Sequence, residues 1–325
     1  GARSMVAMKN AGLNVAMDTF MTLPYTGIKG SMVVVVADDP NAHYSSTEQD
    51  TRIAAKYAEI LCFEPMDQQE AKEMTKEAFL LSEKFSLPVF LRSVTRISHA
   101  SGDVTLGSIR RSRSKLGFNK HWKLPYRWAV YGPPSVAARH AWLHQQLPAI
   151  RAEAEKSPFN RLFYVGSEGS IRPWGTGEPR SKLAVIASGI GTCYALEALG
   201  RLGLDYEVPF LKIGTPFPLP AEKVCTLLKS AENVLIVEEG DPVVEEQVRA
   251  LVGSAGFSVR ILGKTVGRHY LVCDRTDPEG CVEPGLLPPY GEINSDKVSS
   301  AIRKILAALG EVHEGREDLG YEARE

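Results

Sequence analysis

Cysteine is scarce in this sequence and badly spaced for any shared task. Cys62, Cys193, Cys225, Cys273 and Cys281 form no CxxC pair and are odd in number, which argues against a disulfide framework and against a zinc or iron–sulfur site in this chain. A reducing cytoplasm is the compartment that fits. Long apolar runs are missing too. None approaches the roughly 20 residues that span a bilayer, and the stretch opening at Gly1 is broken by polar residues, unlike a signal peptide's apolar core. No membrane partner is expected. Charge of either sign is not in excess, with 38 Lys and Arg against 39 Asp and Glu, so no global field recruits nucleic acid. The one basic cluster, Arg110, Arg111, Arg113 and Lys115, reads as a solvated loop. Also absent are GxxxxGK[ST], a full GxGxxG, GxSxG and HExxH. Nucleotide hydrolysis, dinucleotide-linked hydride transfer, serine esterase chemistry and zinc protease chemistry lose support accordingly.

What is present is the composition of an ordinary globular protein, 44% hydrophobic and 24% charged over 325 residues, enough for two domains with their own cores. The chain opens without a methionine, straight into patterned sequence, which reads as a fragment or a processed chain. Short apolar runs alternate with amphipathic ones, the pattern of strands and helices taking turns in a parallel sheet. Met32–Ala37 is the clearest strand. Four consecutive valines give it no polar face, so it is expected at the centre of a sheet and fully buried. A helix is expected over about Gln49–Glu59, a strand over Ile60–Phe63, a helix over Gln68–Phe85 and a strand over Leu87–Leu91. Between about Gly102 and Gly177 the alternation lapses except for a helix from Ser135 to about Lys156. From Ser181 it resumes: strands over Leu183–Ala187, Val208–Lys212, Val234–Val237 and Ser258–Leu262, and helices over Thr192–Leu202, Ala221–Lys229 and Val243–Val252. Pro284–Pro289 reads as a linker before a last helix, Ser295–Leu309, and a charged tail. The division expected is 1–115 for a first α/β domain, 116–180 for a connector, 181–272 for a second α/β domain and 273–325 for linker, helix and tail.

Ligands of open parallel sheets bind beyond the carboxyl ends of the strands, which singles out three clusters. Asp38, Asp39, Asn41 and His43 with Ser45–Arg52 offer a dense set of donors and acceptors, although Ser45–Thr47 with Glu48–Asp50 also reads as a helix cap. Arg92, Arg96 and His99 follow the third strand; arginine suits a carboxylate or phosphate, while His99 reads equally as a loop residue. Ser188-Gly189-Ile190-Gly191 with Thr192 could cradle a phosphate or simply make a tight turn.

Several stretches together resemble one family, the α subunit of indolepyruvate:ferredoxin oxidoreductase, among the thiamine-diphosphate-dependent 2-oxoacid:ferredoxin oxidoreductases. They are residues Gly1–Ala16, Met21-Thr-Leu-Pro-Tyr-Thr-Gly27, Val35-Val-Ala-Asp-Asp-Pro40, Glu48-Gln-Asp-Thr-Arg52, Leu91–His99, Glu155–Asn160, Ile186–Ile190, Gly214-Thr-Pro-Phe-Pro-Leu-Pro220 and Val237-Glu-Glu-Gly-Asp-Pro242, in order and similarly spaced. The resemblance implies a pyrimidine-binding domain followed by a transketolase C-terminal-like domain. It implies that Lys9, Asn10, Gly12 and Leu13 line a cofactor and substrate pocket. Glu48, Gln49, Asp50 and Arg52 would lie at the neighbouring strand end, and Arg52 or Arg96 would hold a substrate carboxylate. The activity implied is oxidative decarboxylation of arylpyruvates to acyl-CoA, with coenzyme A as acyl acceptor and ferredoxin as electron acceptor, in a complex with a small β subunit.

Three departures bear on that expectation. The family's diphosphate-binding domain, with the GDG and asparagine that hold Mg²⁺, is not in this sequence, nor is its cysteine-rich ferredoxin-like domain. The glutamate that protonates the aminopyrimidine lies upstream of the stretch matched by Gly1. Thiamine diphosphate, Mg²⁺ and iron–sulfur clusters are therefore expected to be shared with, or carried by, another domain or chain, and this chain alone is expected to be inactive. Two other readings stay open: a non-catalytic structural or regulatory subunit, and a related enzyme acting on a different 2-oxoacid.

Overall fold

The computed structural model describes residues 1–109, 117, 132–175, 177, 179–264 and 285–311. Cys273, Cys281, the basic cluster at 110–115, the start of the expected linker at Pro284 and the charged tail from 312 lie outside the described residues.

The first layer is built from β1 (Arg3–Lys9), α1 (Asn10–Thr26), β2 (Ser31–Ala37), α2 (Arg52–Tyr57), β3 (Cys62–Phe63), α3 (Gln68–Phe85), β4 (Val89–Ser93) and the short α4 (Thr95–Ser98). Its four strands are parallel, in the order β1-β2-β4-β3. Helix α3 forms where apolar positions recur at helical spacing, burying Met74, Ala78, Leu81 and Phe85. It starts at Asp67, whose carboxylate accepts the Glu70 N–H at 2.7 Å. Strand β2 sits between β1 and β4, with Val33, Val34 and Val36 buried. The expectation of full burial fails at Met32, Val35 and Ala37, which stay partly exposed, Met32 and Val35 at the margins of the two cores flanking the sheet. Strand β1 has no counterpart among the expected strands because Arg3, Ser4 and Met5 face outward along an edge.

Helix α5 (Pro133–Lys156) packs Leu143 and Ile150 into the core shared by α3 and β4. The second layer follows: β5 (Arg161–Val165), β6 (Ile171–Pro173), β7 (Ser181–Ser188), α6 (Gly191–Leu202), β8 (Val208–Ile213), α7 (Ala221–Lys229), β9 (Ala231–Val237), α8 (Val243–Ala255), β10 (Arg260–Leu262) and α9 (Ser295–Ala308). Its strand order is β10-β9-β7-β8-β5-β6. Strands β7 to β10 are parallel, while β5 and β6 close one edge as an antiparallel pair. Residues 161–173, expected in a connector, thus extend the second sheet. The apolar run Leu162-Phe-Tyr-Val165 is as long as the expected strand Val234–Val237, but the lapse of strand–helix alternation around it hides it.

The two layers touch along backbone as well as side chains. Cys62 N–H donates to Phe217 O at 2.7 Å and Glu64 N–H to Gly214 O at 3.0 Å. Buried Lys212 of β8 reaches both carboxylate oxygens of Glu70 on α3, at 2.7 and 2.6 Å. Among the described residues no helix is long and apolar enough to cross a membrane.

Candidate functional site

The carboxyl ends of the first sheet's strands carry two groups of charged residues with different surroundings. One is sealed between the layers. Arg52 opens α2 and Arg92 is the penultimate residue of β4, and both side chains are fully buried. Arg52 donates from Nε to Asp50 at 2.9 Å, from Nη1 to Glu238 at 2.8 Å and from Nη2 to Asp50 Oδ2 at 2.5 Å. Nη2 also reaches the carbonyls of Glu239 and Asp241, at 2.8 and 2.9 Å. Arg92 donates from Nε to Asp38 at 2.6 Å and from Nη1 to Glu64 and to the Glu239 carbonyl. Glu64 also accepts from Ser188 Oγ at 2.6 Å, across the layers.

This clasp dictates its own electrostatics. Burial drives the Asp50 carboxyl up, but Arg52 and Arg92 overcome it and hold the group down at about 2. Burial wins at Glu239, pushed up to about 7 despite Arg92, and at Lys264, pushed down to about 8 despite Glu238. Burial also raises Asp38, against Arg92. Two glycines let the layers close this tightly. Gly240 has φ +91°, and a Cβ there would lie 2.5 Å from Asp50 Oδ2. Gly189 has φ +51°, and its Cβ would meet Glu64 at 2.7 Å. The Ser188–Gly191 turn is therefore filled by Glu64 rather than left as a phosphate cradle.

The other group is open. At the end of β1, Lys9 Nζ lies 3.0 Å from Asp39 Oδ2, and Asp39 also accepts from Tyr44 N–H and Thr95 Oγ1 at 2.8 and 3.0 Å. Burial raises the Asp39 carboxyl, yet donors from Tyr44, Lys9, Ser45 and Thr95 hold it well below the usual carboxylate range. Asn10, nearly fully buried, contacts the Thr47 carbonyl at 3.5 Å, and Gln49 accepts from Asn14 at 2.8 Å. Glu48 accepts from Asn41 N–H at 3.1 Å and from Gly291 N–H at 2.5 Å. The helix cap foreseen at Ser45–Asp50 does not form; these residues are irregular, α2 begins at Arg52, and Asp38 takes the Thr51 N–H at 2.9 Å.

Beside this edge lies a cavity of about 1000 Å³ bounded by Asn41, Arg96, Tyr194, Glu292 and Lys297. Arg96 is exposed there and pairs with Glu292 at 2.6 Å, which His43 approaches at 3.2 Å.

Of the residues singled out from sequence, Lys9, Asn10, Glu48, Gln49 and Arg96 are thus brought to one open edge. Gly12 is half-buried on α1 and Leu13 lies in the core beneath it, beside Phe20 and Val34. Arg52 is instead part of the clasp, with all three guanidinium nitrogens engaged. His99 is exposed, its ring 5.9 Å from that of Tyr44. Glu64, Glu238 and Glu239 escaped notice as site residues, although Glu64 directly follows β3 and Glu238 and Glu239 are the first two residues after β9. The open edge offers amide and ammonium groups that fit one face of a polar heterocyclic cofactor. It does not fit a magnesium diphosphate. Among the described residues the one cluster of His, Cys, Asp or Glu ligand atoms that converges on a point is Glu59, His140 and His144, on α5 and the turn before β3.

No protein-family model matches the chain. It is 42% identical over 309 residues to the indolepyruvate oxidoreductase subunit IorA of Pyrococcus abyssi, covering 94% of this chain and 45% of that protein. The IorA subunit of Methanothermobacter thermautotrophicus is 38% identical over 308 residues, 95% of this chain and 44% of that one. The chain spans about half the length of the curated relatives it matches. Among solved structures, a 2-oxoglutarate:ferredoxin oxidoreductase from Magnetococcus marinus, with 2-oxoglutarate, coenzyme A and succinyl-CoA bound, superposes on 93% of this chain and 53% of its own with a TM-score of 0.55 at 15% identity. That likeness shows the fold: α/β, with two open sheets that are mainly parallel.

Proposed function

The chain belongs to the family of indolepyruvate oxidoreductase IorA subunits, and on that premise we propose that it forms two α/β domains of a 2-oxoacid:ferredoxin oxidoreductase subunit acting on arylpyruvates. The observation that carries the reading is the 42% identity over 94% of the chain. In this reading residues 1–115 are the pyrimidine-binding-like domain and residues 181–272 the centre of the transketolase C-terminal-like domain, to which β5, β6 and α9 also belong. Thiamine diphosphate, with Mg²⁺, supplies the carbon nucleophile and electron sink when bound. Its diphosphate is held by a domain or chain other than this one, as are the iron–sulfur clusters that pass electrons to ferredoxin. A small β subunit and coenzyme A complete the assembly.

Within it, Lys9, Asn10, Glu48 and Gln49 form a polar wall on the cofactor's side, with Gly12 and Leu13 setting α1 behind them. Arg96 takes the substrate carboxylate. It already holds one carboxylate, that of Glu292 at 2.6 Å, so an incoming 2-oxoacid exchanges one anion for another without stranding the guanidinium. The clasp has the different task of fixing the strand ends that carry these groups.

The test is coenzyme A-dependent reduction of ferredoxin or a viologen dye by the full-length subunit with its co-purifying partner, supplied with indolepyruvate, phenylpyruvate or 2-oxoglutarate. Preference for the two arylpyruvates supports the reading. Turnover of aliphatic 2-oxoacids alone overturns the substrate class. An assembled complex inert toward all of them favours the structural-subunit alternative.

A further inference from the structure

Helix α5 presents His140 and His144 one turn apart on the same face. Their Nε2 atoms are 2.9 Å apart. Glu59, in the turn between α2 and β3, brings Oε2 to 3.8 Å from the first and 3.7 Å from the second. The geometry points to a divalent transition-metal site built from these three side chains, of the class that takes Zn²⁺ or Co²⁺, and separate from the strand-end edge.

The distances carry the argument. A circle through three points separated by 2.9, 3.7 and 3.8 Å has a radius of about 2.0 Å, close to the roughly 2.0 to 2.2 Å at which zinc is bound by imidazole nitrogen and carboxylate oxygen. An ion slightly above that plane keeps all three ligands and leaves a fourth position to solvent. Two imidazoles with one carboxylate select borderline ions over Mg²⁺ or Ca²⁺, which prefer oxygen alone.

The ligands are also held in place. The Tyr25 ring packs on His140 with centroids 5.3 Å apart. Glu59 has φ +57°, a left-handed conformation fixed by its N–H donating to Lys56 O at 3.2 Å. The side chains of His140, His144 and Glu59 are 46%, 52% and 28% exposed, so an ion enters from solution without opening the fold. Once bound, it staples α5 to the turn that leads into β3.

The experiment is calorimetric titration of the chelator-treated chain with ZnCl₂, and with CoCl₂ followed by visible absorption, against His140→Ala/His144→Ala and Glu59→Gln. The expected result is one equivalent bound, a Co²⁺ spectrum of low-coordinate nitrogen and oxygen ligation, and a rise in Tm with Zn²⁺. Affinity should fall on the order of 100-fold or more in the double variant and about 10-fold in Glu59→Gln, since even outer-shell changes at metal sites cost 10- to 100-fold. Because the two histidines are exposed and Glu59 is half-exposed, the variants should fold, and matching circular dichroism of the metal-free proteins checks it. Undiminished binding in the double variant, thiolate charge-transfer bands with Co²⁺, or no binding at all would each overturn the site.

Discussion

Arg52 and Arg96 belong to the same end of the same sheet, yet the second layer covers one and leaves the other beside an open cavity. Arg52 is fully buried, bound to Asp50 and Glu238, whereas 57% of the Arg96 side chain is exposed beside Glu292. The sealed group holds more acid than base, with Asp38, Asp50, Glu64, Glu238 and Glu239 against Arg52, Arg92 and Lys264. Taking ions out of water is costly, and a buried pair repays that cost only with well-placed partners. Here the partners come from both layers, so the charges fix how the layers meet. At the open edge Lys9 and Arg96 stay exposed to solvent, so their ion pairs contribute little to stability and remain able to exchange partners. Coverage by the second layer, not residue type, separates the sealed arginine from the exposed one.

The comparison is broken most severely at Arg52. Arg52→Met strands Asp50 and Glu238 without their shared cation, and should cost about 3 to 5 kcal/mol, read as a lower midpoint in urea. A midpoint unchanged from the parent would mean that the clasp is not closed in solution.

Glu239 gives the clasp a pH dependence with a definite sign. Its folded-state pKa of about 7 lies above the ordinary carboxylate value of 4.5, so the folded state keeps the proton longer than the unfolded one. Stability from this group is complete below about pH 4.5 and is lost as pH rises through 7, on the order of 3 kcal/mol in all. Melting curves between pH 5 and 7.5 should fall with pH in the parent and fall less steeply in Glu239→Gln, since buried Asp38 and Glu238 are raised as well. That window lies below about 8, where Lys264 titrates with the opposite effect. A parent profile that rises with pH over this range would contradict the assignment.

Gly240→Ala places a methyl 2.5 Å from Asp50 Oδ2 at φ +91°, which should cost about 2 kcal/mol. An alanine tolerated there within a few tenths of a kcal/mol would show that the layers close more loosely than described.

The elements legible in the sequence are those whose periodicity is their own. Helices α3 and α7 run over the residues their apolar spacing marks out, Gln68–Phe85 and Ala221–Lys229. The valine run lies inside the sheet because nothing else accommodates it. Strand β1 was hidden because an edge strand needs only partial burial, and the β5–β6 pair because it joins the sheet antiparallel, outside the strand–helix alternation. The open site was half-legible: Lys9, Asn10, Glu48, Gln49 and Arg96 follow from strand ends and resemblance. The burial of Arg52 was not, because Glu238 and the Glu239 carbonyl reach it from 186 and 187 residues away. No local pattern signals a partner at that distance.

The most direct test of the account compares Arg96→Lys with Arg52→Lys in the full-length subunit with its partner, measuring both urea midpoint and kcat/KM for an arylpyruvate. Breaking a bidentate guanidinium–carboxylate pair in a partly desolvated pocket costs roughly 2 kcal/mol, on the order of 30-fold in kcat/KM. Arg96→Lys should show that reduction with its midpoint unchanged, and Arg52→Lys should lose stability first. Full activity in Arg96→Lys, or a selective kinetic defect at unchanged stability in Arg52→Lys, would contradict the division between a sealed clasp and an open site.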